Sequence, residues 1–249
     1  MRTLDAFLPG ARRAAPYAAV LLSGGLLYAA AALIEEASGS GLALSVLVEE
    51  GGKLLLLLLF ALAAHSRGRG LGMALSRGLA AIAVFAAVEN LAFFAAFPGG
   101  DILARLLWAE PVHLVSGLAE AIAVSALALS WRGRRRAGLA AGLAADPGRA
   151  VRSAHPGRAA HETGLRRLGA REAAEIGCGL SLALGWHYAL NLLAGGGTLG
   201  QGTLGQARAA AQGGAPLVLV AAANALALGA LGYYFAQRVI IGGFLNGKE

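Results

Sequence analysis

Long apolar runs, broken by short clusters of charge, Gly or Pro, set the pattern of this chain. A bilayer hydrocarbon core about 30 Å thick takes about 20 residues of helix to cross. Cutting the chain at its charge and Gly/Pro breaks predicts six helices of that kind: Tyr17–Ile34, Gly41–Ala64, Leu79–Phe97, Ile102–Ser130, Ile176–Ala194 and Pro216–Leu245. The fourth and sixth are long enough to tilt, kink or protrude. Pro111, inside the fourth, removes one backbone hydrogen bond and marks a candidate kink. The expected fold is all-α, a polytopic membrane helix bundle of one domain.

Composition narrows the reading further. Of 249 residues, 57% are hydrophobic before 37 Gly are counted, and only 14% are charged. The mean hydropathy is +0.63. A water-soluble domain carries about 25% charged residues, so the apolar surplus is expected to face lipid. Seven prolines without a Gly-X-Y period exclude collagen, the hydrophobicity excludes disorder, and a single cysteine, Cys178, excludes an internal disulfide framework. The N-terminal stretch has no small-residue cleavage pattern after a short apolar core, so the first span is expected to be retained.

Loop charges give the orientation. Cytoplasmic loops hold the excess Lys and Arg, and 18 of the 21 cationic residues fall on alternate sides of the six-span division. They lie in the arm 1–16, in the loop holding Arg67, Arg69 and Arg77, in the segment 131–175 and in the tail. Both termini are therefore expected in the cytoplasm, and the net charge of +7 records topology rather than nucleic-acid binding. The segment 131–175 reads as an Arg-rich cytoplasmic loop. Residues 195–215 read as a flexible outer loop, with Gly-Thr-Leu-Gly-Gln in tandem at 197–201 and 202–206 and no phosphate-loop ending. The Ala/Gly/Arg bias points to a multi-pass protein of a bacterial plasma membrane.

Ionisable side chains inside spans cost about 2.5–3.5 kcal/mol each at the bilayer centre, so each needs a partner or a purpose. Glu49, Glu50 and Lys53 lie in the second predicted span, Glu89 and Asn90 in the third, Glu110, His113 and Glu120 in the fourth, and His187 and Asn191 in the fifth. Glu49, Glu89, His113 and His187 all lie about 7 to 11 residues from the outer ends of their helices, or ~10–17 Å deep at ~1.5 Å per residue. Four helices thus bring acid or imidazole groups to one layer, where packing polars of unrelated purpose would scatter. Lys53 is i+4 from Glu49 and i+3 from Glu50, so it serves one carboxylate as a structural counter-ion and leaves the other as base or ligand. Asn191, one turn from His187, is placed to orient a carbonyl or donate to an oxyanion.

Two chemistries are open to such a layer. A desolvated glutamate can activate water as a general base, or two His and two or more Glu can hold Zn²⁺ or another divalent metal, with Glu89, His113 and His187 as the ligand set. The His-Glu-x-x-His signature is absent, since His161-Glu162 lies in the Arg-rich loop without a second His.

The motifs Glu-Glu-Gly-Gly-Lys at 49–53, Phe-Ala-Ala-Val-Glu-Asn at 85–90, a lone His113 in the next span and His-Tyr-Ala-Leu-Asn at 187–191 resemble those of PrsW-type intramembrane proteases. That family is related to the CAAX prenyl proteases and the wider CPBP/ABI group. The likeness covers roughly residues 41–194. It implies hydrolysis of a peptide bond in a membrane-associated substrate, such as a single-span anti-sigma factor. Glu49 or Glu50 would activate water with the help of His113 or Glu89, and His187 and Asn191 would stabilise the oxyanion. CAAX relatives tend to carry His where this chain has Glu89, which makes a prenylated substrate the less fitting class.

Plainer readings stand beside these. The buried Glu and His residues could be a polar clamp that fixes helix packing, and His113 could satisfy the carbonyl that Pro111 leaves free. Glu120, seven residues from His113, is left outside the site. His65 reads as interfacial, Cys178 as a small packing residue, and Trp108, Trp131, Tyr233 and Tyr234 as interface anchors. The rival function is a cation or proton-coupled transporter using the same carboxylates and imidazoles, although no convincing inverted repeat relates the two halves.

Overall fold

The computed structural model describes residues 2–38, 41–66, 70–96, 102–145, 170–192 and 214–237. They form six helices and, among these residues, no strand: α1 (Arg2–Ser38), α2 (Leu42–Ser66), α3 (Leu71–Ala96), α4 (Ile102–Ala145), α5 (Ala170–Asn191) and α6 (Gly214–Phe235). Four of them contain stretches long and apolar enough to cross a membrane, at Ala15–Ala37, Leu71–Ala96, Ala109–Trp131 and Val218–Phe235. The charges of α2 at Glu49, Glu50 and Lys53 interrupt its apolar run, while α5 carries Arg171, Glu172 and Glu175 in its first two turns and the polar His187 and Asn191 near its end.

The helix limits depart from the sequence expectation in ways the residues explain. α3 begins at Leu71 rather than Leu79, so Arg77 lies inside a helix and not in a loop. Leu71, Ala74 and Leu75 are buried there, and this apolar face draws the first two turns into the bundle. α4 continues past Ser130 to Ala145, because the Arg- and Ala-rich stretch is made of strong helix formers. The first helix likewise starts at Arg2, within the expected arm. Residues 146–169, most of the Gly-rich segment and the tail beyond 237 lie outside the described residues.

α4 is the central post. Of its apolar window 72% is buried, against 11% for α1 and 17% for α6. It packs on α2, α3, α5 and α6, while α1 lies against α2 and α3. Close approach depends on glycine. A Cβ on Gly179 would stand 2.6 Å from the Ala119 carbonyl oxygen of α4, so α5 can lie against α4 only with no side chain there.

Three apolar clusters frame a polar layer. Leu56, Leu57, Leu75, Ile82, Ile122 and Phe235 fill one end of the bundle. Val112, Leu190 and Val220 close the other side, with Trp186 against them. Ala31, Phe85 and Ala86 seal the layer toward α1.

Candidate functional site

The layer is built from one turn of α2, one turn of α3, two turns of α4 and the C-terminal part of α5. Glu50 and Lys53 lie on the same face of α2, three residues apart, and form an ion pair with both side chains buried. Lys53 is 0% exposed, and each of its three N–H donors has a partner. It donates to Glu50 Oε1, to Ser116 Oγ at 2.9 Å, and to His113 Nδ1 at 3.3 Å. An ammonium has three donors and no acceptor, so Lys53 is fully spent in holding α2 to α4.

Those contacts fix the two imidazoles. Glu50 Oε1 lies 2.5 Å from His187 Nδ1; a carboxylate oxygen accepts, so Nδ1 carries the hydrogen and Nε2 keeps its lone pair. That nitrogen stands 3.6 Å from Glu49 Oε2. His113 is oriented the other way: its Nε2 meets Glu89 Oε2 at 2.7 Å, and its Nδ1, facing Lys53, lies 3.8 Å from Glu49 Oε2. The two rings meet edge to face with centroids 5.2 Å apart, and Phe85 packs edge-on against His113 at the same separation.

The result is a convergence of acceptors. Glu49 Oε2 is buried without a hydrogen-bond partner. One ligand atom each from Glu49, His113 and His187 falls within 4.8 Å of the others. Two imidazoles and a carboxylate are the donors of open catalytic zinc sites, whose ~2.0–2.2 Å bonds place ligand atoms about 3.3 Å apart. The 3.6 and 3.8 Å separations approach that spacing, and the donor set fits a divalent ion. Lys53 opposes it, since His113 Nδ1 would have to exchange the ammonium for the metal.

The residues expected from sequence divide accordingly. Glu49, Glu50, Lys53, Glu89, His113 and His187 are brought together. The set at metal-binding distance contains Glu49 where Glu89 was expected, because Glu89 occupies the opposite nitrogen of His113. Asn191 is half-buried at the end of α5, one turn from His187, and the described hydrogen bonds do not join it to the cluster. Asn90 instead donates to Glu110 Oε2 at 2.7 Å, tying α3 to α4.

Two members were missed. Ser116 is one of the three Lys53 acceptors. Glu120, buried at 1% exposure, lies within electrostatic reach of Glu50 and Lys53. The signal was present: His113, Ser116 and Glu120 are spaced i, i+3, i+7, which places them on one face of α4. A second such link, from Trp186 Nε1 to Asn224 Oδ1 at 3.1 Å, fastens α5 to α6 beside the site.

The class these features define is an all-helical bundle with membrane-length apolar helices and a buried carboxylate–imidazole centre. Comparisons with models of protein families, with curated proteins and with solved structures find no match to this chain.

Proposed function

We propose that the protein is an intramembrane protease of the PrsW-like kind, in which Glu49 activates water for attack on a peptide bond of a membrane-associated, single-span substrate. The observation that carries this reading is the meeting of Glu49 Oε2 with a ring nitrogen of each of two histidines from two other helices, in a layer enclosed by apolar clusters. In this arrangement a water between Glu49 Oε2 and His187 Nε2 gives its proton to Glu49 as its oxygen attacks the carbonyl carbon. Glu49 then passes the proton to the departing amine. Glu50 holds His187 in one tautomer, Glu89 holds His113, and Lys53 holds Glu50; these three are positioning residues. Asn191 donates to the developing oxyanion. A divalent ion such as Zn²⁺ held by Glu49, His113 and His187 would supply Lewis acidity in place of that base, with Glu49 then a ligand and His113 Nδ1 released from Lys53.

The setting belongs to the same proposal: six spans with both termini cytoplasmic, in a bacterial inner membrane, and a transmembrane protein as substrate. α2, whose charges interrupt its apolar run, and α5, with His187 and Asn191 in its last turns, are then spans because Glu50 and Lys53 of α2 and His187 of α5 are buried against α4 and one another.

The test compares protein N-termini in membrane fractions of cells expressing the native chain or Glu49→Gln at equal levels. New termini beside single transmembrane segments, present only with the native chain, are the expected result. Matching profiles under several stress conditions would sink the protease. One observation favours a second reading, a proton- or cation-coupled transporter: Glu120 extends the buried polar groups beyond Lys53 along α4. Metal or proton flux in vesicles that depends on Glu120 would make that reading the better one.

A further inference from the structure

A groove lies among α1, α2 and α3 at the end of the bundle away from the polar layer, with a volume of about 520 Å³. Its walls are apolar, from Ala19 of α1, Leu59, Phe60 and Ala63 of α2, and Met73 of α3. Leu59 and Met73 are more than half exposed. Its one charged lining residue is Arg77.

Arg77 sits in an unusual place for a cation. It belongs to a helix apolar enough to cross a membrane, six residues from the first residue of α3, or about 9 Å along the axis. Among the described residues no carboxylate pairs with it. A guanidinium at that depth reaches the headgroup level along its aliphatic stem. There its paired N–H groups match a phosphate. The volume lies within the ~300–1,000 Å³ of small-molecule sites.

We propose that this groove binds one anionic phospholipid, with an acyl chain along Leu59, Phe60 and Met73 and the headgroup phosphate on the Arg77 guanidinium. The occupant is a lipid because the groove joins an apolar trough to a single cation, the two halves of a phospholipid. It is an anionic lipid because Arg77 is the one charged lining residue, and no carboxylate lines the groove to receive the ammonium of a zwitterionic headgroup. The site is separate from the carboxylate–imidazole layer and stands whether or not that layer cleaves peptides.

Native mass spectrometry of the full-length protein in detergent tests it, with phosphatidylglycerol and phosphatidylcholine of identical chains as probes. The native chain should retain phosphatidylglycerol about fivefold over phosphatidylcholine. Arg77→Gln should remove that preference while leaving phosphatidylcholine retention as it was, which also shows the variant to be folded. Arg77→Lys should keep part of the preference, and Ala63→Phe, which fills the trough, should lower retention of both lipids. Equal retention of the two lipids by the native chain, or a preference that survives Arg77→Gln, would overturn the headgroup assignment. Unchanged retention in Ala63→Phe would overturn the groove.

Discussion

α1 and α4 are both long helices with an apolar window of 23 residues, yet they occupy opposite positions in the bundle. α4 is mostly buried, and its inner face carries His113, Ser116 and Glu120. α1 turns Leu21, Leu22, Leu26 and Leu33 outward, and its Glu35 accepts from Ser45 of α2 at the margin of the layer. Hydropathy alone ranks the two as equals. Where lipid is as apolar as the side chains, Leu gains little by choosing protein over bilayer, and it is the polar groups and small residues that decide which helix goes inside. The polar residues of α4 can be satisfied only by other helices, so they draw α2, α3 and α5 around it.

That contrast can be broken at graded points. Glu49→Gln and His187→Ala strike the convergence itself and should each lower the proposed cleavage by at least about 10²-fold, with membrane insertion unchanged by protease protection of the loops; retained cleavage in either removes that residue from the proposed mechanism. Lys53→Met strips Glu50 of its ammonium in a buried site and should destabilise the bundle by about 3–5 kcal/mol, read from unfolding in detergent. Pairing it with Glu50→Gln should recover part of the loss, whereas no recovery would show that Lys53 works through Ser116 and His113 alone. Gly179→Val places a side chain against the Ala119 carbonyl and should cost about 1–3 kcal/mol, seen as a lower melting temperature in the same micelles. Leu26→Ala on α1, at 68% exposure, should stay within about 0.5 kcal/mol; a larger effect would mean that α1 is covered by a partner helix in the membrane.

Much of the layer is legible in the sequence. Glu49, Glu89, His113 and His187 could be assigned to one layer because helix rise converts residue number into depth, and that conversion needs no tertiary information. Rotation is less accessible. Glu49 and Glu89 share a depth, but only the packing of α2 and α3 decides that Glu49 faces both imidazoles while Glu89 meets the far edge of one. Glu120, seven residues from His113 and able to share its face, was left outside the site because spacing alone does not say what it meets; its burial and the reach of Lys53 bring it back. The limits of α3 and α4 were missed for a different reason. Arg77 and the Arg-rich stretch after Trp131 read as loop by charge, yet arginine is a good helix former, and the backbone follows propensity where no Gly or Pro intervenes.

The spent ammonium of Lys53 bears on how the chain enters the membrane. α2 emerges before α4, carrying three charges whose insertion at the bilayer centre would cost about 2.5–3.5 kcal/mol apiece. Its six-leucine run at 54–59 returns only about 0.5 kcal/mol per residue. Ser116 and His113, which complete the shell around Lys53, belong to a segment made some sixty residues later. If α2 is a span, as the proposed six-span setting has it, it settles only once α4 is made. In that setting, assembly of the centre and integration of the chain are one event.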